Sequence, residues 1–395
     1  MSAEAGVVRR RHVFYIPGYD PRGPRTYFLL FKRELARWAE RNGVRAALTR
    51  IKGEEEPGLS SWRLVSEGPD HAVETTIDFL SWDDLAEREF RASYARRFVG
   101  ALEVLGYSIG SGSFAAMARW NWKFGLFAAY PWVMALGYAL VAAAWTGACG
   151  LAAMRVGPPL VAAPVCAALC AAGLWFWWRL VRRLEPKLYV FYLINDWIWT
   201  ARHRRRRDPQ AEARFEAFAQ RVAEVADSGA ADELLLVGHS SGSFVGAIVA
   251  ARALELCPDV GGRGPLNVLT IGANTVVSCA GRGDNPGRRA IARLLCEPRV
   301  RWLEYYTPND VMSFPRLDYA RCYGVDLQGR TQLNPLLRSA RMAEIFTAET
   351  WGRLDWRFFE KHFQFIRANE RPGEYDFYRF LAGSGRFGSA VPEAR

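Results

Sequence analysis

The chain has little of what builds metal or redox centres. Its 395 residues hold five His and seven Cys. No two cysteines stand at C-x-x-C spacing, which excludes zinc ribbons and dithiol redox motifs; neither a metal nor another cofactor is expected. The odd cysteine number, with Cys149, Cys166 and Cys170 in apolar runs, suits thiols that stay reduced in a cytosol-facing protein. Acidic charge is also scarce. Asp and Glu number 41 against 52 Lys and Arg, leaving +11. That balance suits an anionic partner, yet no nucleic-acid module surrounds the basic residues and no nucleic acid is expected. The first residues, MSAEAGVVRRRHVF, carry charge before any apolar run and do not read as a secretory signal.

Charge is missing altogether from two stretches. Phe124 to Met154 has none, Arg155 interrupts, and Val156 to Trp178 again has none. Each run supplies the ~20 residues that cross a hydrocarbon core, with helices expected near 124–148 and 158–178. Arg119 and Lys123 precede the first run, and Arg179, Arg182, Arg183 and Lys187 follow the second. The positive-inside rule puts both flanks in the cytoplasm, with a short turn at Gly157-Pro158-Pro159 on the far side. Trp120, Trp122, Trp175, Trp177 and Trp178 fall where an interfacial aromatic belt belongs. These features predict an integral protein of the inner (cytoplasmic) membrane whose remaining domain faces the cytoplasm; a hairpin that only dips into the membrane, or a soluble cap of buried helices, is the alternative, since both runs are rich in Ala and Gly and carry Pro131, Pro158, Pro159 and Pro164. The basic run Arg202, Arg204, Arg205, Arg206 and Arg207 suits either anionic headgroups or plain solvation.

Outside 85–207 the pattern alternates. Strands are expected at 12–18, 44–51, 73–80, 233–237, 266–272 and 300–306, and helices at 25–41, 211–226, 244–256 and 287–296. In the first helix Phe28, Phe31, Leu35 and Trp38 share one face. Strands separated by helices predict an α/β fold with a mostly parallel sheet flanked by helices. Residues 94–118 read as an amphipathic lead-in to the first membrane helix. LYVFYLI, 188–194, reads as a further strand or as a continuation of the second membrane helix.

Two stretches fit G-x-S-x-G: LGYSIGSG at 105–112 and VGHSSGSF at 237–244. A nucleophile elbow needs a buried strand before the serine and a helix after it. Ser240 has ELLLV before it and FVGAIVAARALEL after it. Ser108 follows a charged, helically spaced segment and leads towards the membrane, so small residues for close packing explain it.

With these flanks the chain resembles an α/β-hydrolase of the lipase/esterase kind over roughly 12–80 and 208–395. The hydrolase body would be 1–84 and 208–395, and 85–207 an inserted cap and membrane region carrying a two-helix transmembrane hairpin. The resemblance implies a Ser…Asp/Glu…His order. Asp310, in the turn after the 300–306 strand, fits the acid; Asp318, Asp284 and Asp326 share its order. Asp83 and Asp84 precede the serine and suit a helix start. His12, His71, His203 and His239 lie before or inside the motif, which leaves His362, in a stretch that also reads as helix. By resemblance the oxyanion would meet the backbone N–H groups of Tyr19, in IPGY, and of Ser241. The expectation is a membrane-anchored serine hydrolase acting on lipid or other long-chain carboxylic esters. A lipid acyltransferase or thioesterase with the same triad is an alternative, as is a catalytically silent, membrane-attached interaction module. Its partners would be a lipid or ester substrate and the bilayer.

Overall fold

The computed structural model describes residues 7–51, 56–69, 71–155, 157–260, 264–279, 285–355 and 357–388. Its strands are β1 (Arg10–Ile16), β2 (Arg45–Arg50), β3 (Leu59–Gly68), β4 (His71–Leu80), β5 (Glu233–His239), β6 (Leu266–Ile271), β7 (Val300–Tyr306) and β8 (Leu336–Ser339). They form one sheet in the order β2-β3-β4-β1-β5-β6-β7-β8. From β4 to β8 every neighbouring pair is parallel, and β3 runs antiparallel to β2 and β4. The fold is therefore α/β with a mostly parallel, mixed sheet.

The central strands are apolar because both faces are covered. β5 is buried along its whole length. Leu235 and Val237 point to one layer, and Leu234 and Leu236 to the other. The first layer contains α1 (Pro24–Asn42) and the C-terminal helices. Phe28, Phe31, Leu35 and Trp38 of α1 bury themselves there at the expected spacing. On the opposite face lie the insert helices, followed later in the chain by α8 (Pro209–Ser228), α9 (Gly242–Leu256) and α11 (Pro286–Leu294), which pack against Phe14, Ile16 and Leu236. Removing one such side chain, as in Leu236→Ala, costs about 2–5 kcal/mol.

The insert comprises α2 (Asp83–Arg91), α3 (Tyr94–Gly110), α4 (Ser113–Trp120), α5 (Trp122–Arg155), α6 (Pro159–Leu188) and α7 (Val190–Arg204). α5 and α6 are long and apolar enough to cross a membrane. At 34 and 30 residues they exceed the expected spans. At 1.5 Å per residue α5 is ~51 Å long, against ~30 Å of hydrocarbon. The surplus is used at its base, where Phe124, Ala128 and Pro131 are buried. Farther out, Val133, Leu136 and Leu140 of α5, and Leu160, Val165 and Leu169 of α6, are exposed. Tyr130 Oη donates to Leu188 O (3.0 Å) and Trp177 Nε1 to Tyr138 O (3.2 Å), bridging the two helices. Trp177 thus turns inward, whereas Trp122, Trp175 and Trp178 stay exposed.

Some expectations need correction. LSSWRLVSEG, with no strand expected, is β3. Only Trp62, Leu64 and Ser66 bury there, on alternate positions, so its outer face reads as loop. Residues 190–194 are neither strand nor a continuation of α6. Tyr189 takes a left-handed φ of 55° and breaks the helix. Glu185 Oε1 then accepts from Phe191 N (2.8 Å) and Tyr192 N (3.0 Å), so α7 restarts with its first donors satisfied. Asp83 and Asp84 occupy the first turn of α2, where they favour its dipole without capping it. In the run Arg202–Arg207, Arg204 is buried, Arg202 and Arg205 are half-buried, and Arg206 and Arg207 are exposed. Arg202 pairs with Glu89 (2.6 Å), Arg204 donates to Ser113 Oγ (2.8 Å), and Arg205 and Arg207 both pair with Glu103. These pairs tie α7 to α2, α3 and α4.

Candidate active site

VGHSSGSF forms the end of β5, a tight turn and the start of α9. Ser240 sits on that turn at φ 56°, a left-handed conformation that costs a non-glycine residue of order 1–3 kcal/mol. Its backbone N–H donates to Ile271 O across the sheet (3.0 Å). The flanking glycines permit close approach. A Cβ on Gly242 would collide with the carbonyl oxygens of Ile16 and Pro17, and one on Gly238 would lie 2.5 Å from Gly242 O. Ser243 Oγ donates to Ser240 O (2.5 Å) and accepts from Asn274 N (3.2 Å). Asn274 Nδ2 in turn donates to Ser241 Oγ (3.2 Å). These bonds fix the turn from behind. Ser108, by contrast, is buried inside α3, with no turn to present it.

Asp310 and His362 meet although 52 residues separate them. His362 Nδ1–H donates to Asp310 Oδ2 at 2.7 Å, with both side chains almost fully buried. Asp310 Oδ1 accepts from Met312 N (2.9 Å), so the same carboxylate orders the loop after β7. His362 closes a short helix, α15; before it come α10 (Thr275–Cys279), α12 (Tyr319–Tyr323), α13 (Met342–Ile345) and α14 (Ala348–Arg353), and after it α16 (Phe377–Ala382). Gly272 makes room for its ring, since a Cβ there would lie 2.7 Å from His362 Cε1. With Nδ1 carrying the proton, Nε2 holds the basic lone pair. It is buried and has no hydrogen-bond partner among the described residues.

Ser240 and His362 line one cavity together with Tyr19, Ser241 and Asn274. A Cβ on Gly18 would lie 2.9 Å from Ser240 Cβ, so the IPGY turn abuts the serine. Ser241 precedes the first turn of α9, where unpaired N–H groups and the helix dipole favour negative charge. The opposite wall comes from the insert: Phe124 and Phe127 at the base of α5, and Tyr192, Leu193, Asp196 and Trp197 of α7. About 40 Å³ is free, too little for an acyl chain. Phe359, three residues before His362, stacks on Tyr189 at 4.1 Å where α6 meets α7.

The other acids and histidines fall elsewhere. Asp318 caps α12 and Asp326 accepts from Gln328 N in a turn, while Asp284 lies outside the described residues. His12 pairs with Asp78 (2.9 Å). His203 stacks on Trp199, and burial pushes its imidazole down to about 4. His239 stacks on His362 with ring centres 5.1 Å apart. Burial, and then the neighbouring His362, holds it well below the usual imidazole range. It stays neutral.

Three further groups bear on the site and carry no sequence signal. Asp20 is buried between Arg22 (2.7 Å) and Tyr27 Oη (2.9 Å). The Arg22 guanidinium then lies 4.9 Å over Phe363, next to His362. Asp196 faces the cavity, with Thr200 Oγ1 at 3.4 Å, and desolvation pushes its carboxyl up to about 7. Asn274 braces the turn. None shares a motif with Ser240, because only the fold brings them near. Among the described residues no His/Cys/Asp/Glu group is placed to hold a metal. Comparison with family models, curated proteins and solved structures finds no match.

Proposed function

We propose that this chain is a membrane-anchored serine hydrolase of the α/β-hydrolase type, acting on lipid or other long-chain carboxylic esters. One observation carries the reading. A strained Ser240 between β5 and α9 shares a cavity with the buried Asp310–His362 pair. His362 Nε2 takes the Ser240 proton as Oγ attacks the acyl carbonyl, and Asp310 holds the tautomer and the imidazolium that forms. The Tyr19 and Ser241 N–H groups receive the oxyanion. His362 then returns the proton to the leaving alkoxide, and the acyl group remains on Ser240. Water, deprotonated by the same Nε2, releases the acid and restores the serine.

The wall opposite the serine supports this choice of substrate class. Phe124 and Phe127 belong to α5, the helix long and apolar enough to be the first membrane span, which supports entry of an acyl chain along α5 when this aromatic wall moves to widen the cavity. Basic flanks on α5 and α6 support a cytoplasmic position for the body.

The test is hydrolysis of a long-chain acyl ester by the full chain in vesicles. Ser240→Ala and His362→Ala should each lower kcat by about 10³-fold or more, with thermal unfolding little changed for Ser240→Ala. Turnover equal to wild type in the Ser240→Ala variant removes the reading.

A further inference from the structure

α3 leaves an apolar face without a partner. Phe98, Val99, Leu102 and Ile109 are 66, 63, 56 and 66 % exposed. Phe98, Leu102 and Ile109 stand four and seven residues apart, which puts them on one side of the helix. The other side is packed. Gly100 lies against Ile198 of α7, where a Cβ would sit 3.2 Å from its Cδ1, and Val104 and Ser108 are buried. The row is therefore not left over from a weak core, because α3 already has its core face. Neither the Asp310–His362 pair nor the cavity uses it.

What covers the row follows from its neighbours. α3 leads through α4 into α5, whose outer half is exposed and apolar, with Trp122 exposed at the junction. Residues 92–187 hold nine Lys and Arg against two Glu. Arg96, Arg119, Lys123, Arg182 and Arg183 are exposed, while Glu103 is paired with Arg205 and Arg207 and Glu185 caps α7. An apolar helix face among basic side chains matches the boundary between anionic headgroups and acyl chains.

We propose that α3 lies in the membrane interface, with Phe98, Leu102 and Ile109 inserted among the outer acyl carbons of an anionic leaflet. This rests on α5 and α6 spanning the bilayer and is independent of the chemistry at Ser240. It has a geometric consequence. α7 packs on the inner side of α3 and roofs the cavity, so the insertion of α3 sets the cavity at headgroup depth.

The test uses the full chain with its native cysteines replaced, in vesicles of phosphatidylcholine and phosphatidylglycerol in equal parts. Nitroxides are placed singly through Phe98→Cys, Leu102→Cys and Ile109→Cys. Leu140→Cys on α5 reports the bilayer interior, and Glu40→Cys, exposed on α1, reports water. All five sites are exposed, and thermal unfolding checks that each variant folds. The expected result is oxygen accessibility above that of a water-soluble nickel chelate at all three α3 positions, at a shallower depth than position 140. Accessibility at 102 like that at 40, with 140 still in lipid, overturns the α3 proposal and leaves the spans standing. Water exposure at 140 overturns both. Spin–spin broadening at 102 that rises with protein density means that a second copy covers the face, which also overturns the proposal.

Discussion

The two sides of the cavity around Ser240 are built on different principles. On the sheet side, Tyr19, Ser240, Ser241 and Asp310 of the proposed chemistry sit just past buried parallel strands, and His362, at the end of α15, is held by its bond to Asp310. On the insert side, the wall is aromatic and carries one carboxyl held only by a long bond from Thr200. The first side is rigid enough to hold a left-handed backbone at Ser240; the second joins directly to the two helices long and apolar enough to cross a membrane. Chemistry and access are thus separated, and substitutions on the two sides should behave differently.

The largest effect belongs to the sheet side. Asp310→Asn keeps the loop's shape but loses the acceptor for His362 Nδ1–H, so kcat should fall by about 10⁴-fold. Steady-state ester hydrolysis reads it, and a loss below tenfold would break the proposed pairing. Next comes the backbone. Gly242→Ala drives a methyl into the Ile16 and Pro17 carbonyls and should cost about 3 kcal/mol or more. Gly246→Ala, with nothing nearer than 3.9 Å, should gain ~0.5–1 kcal/mol as a helix-interior change. Thermal unfolding of the pair measures how tightly the turn is packed.

The insert side predicts subtler changes. Asp196 has its carboxyl raised to about 7 from an ordinary 3.8. Below about pH 4 it is protonated in both folded and unfolded chains and carries no penalty. As pH rises, the unfolded chain ionises first, so stability falls until about pH 7 and then levels. Asp196→Asn should remove that decline. Its size is a few kcal/mol at most, because Asp196 keeps some accessible surface in the cavity. Unfolding of both chains from pH 4 to 8 gives the difference; parallel curves would mean that Asp196 ionises normally. The smallest effect is expected at Phe127. Phe127→Ala should raise KM about tenfold for a long-chain ester and leave a short soluble ester unchanged. Equal changes for both would move acyl recognition elsewhere.

The same division governs what could be read from the chain. Strands buried on both faces announce themselves, as ELLLV does, because every residue must be apolar. β3 does not, because one face meets solvent. The αL break at Tyr189 is invisible in LYVFYLI, whose β-branched and aromatic residues suit a strand until Glu185 caps the new helix. Ser240, Asp310 and His362 were legible as an ordered set. Their contacts were not: they depend on Gly272 yielding space to an imidazole from a helix ninety residues away. Asp20, Asp196 and Asn274 had no signal: Asn274 meets the serine turn only across the sheet, Asp20 meets Tyr27 only where β1 runs into α1, and Asp196 meets the cavity only when the insert closes over the sheet.

The most direct measurement is covalent labelling of membranes with a fluorophosphonate probe, comparing wild type, Ser240→Ala and Ser108→Ala. The account predicts a labelled band for wild type and Ser108→Ala, none for Ser240→Ala, and the adduct on Ser240 when the labelled peptide is sequenced. Undiminished labelling of Ser240→Ala, or an adduct on Ser108, would contradict it.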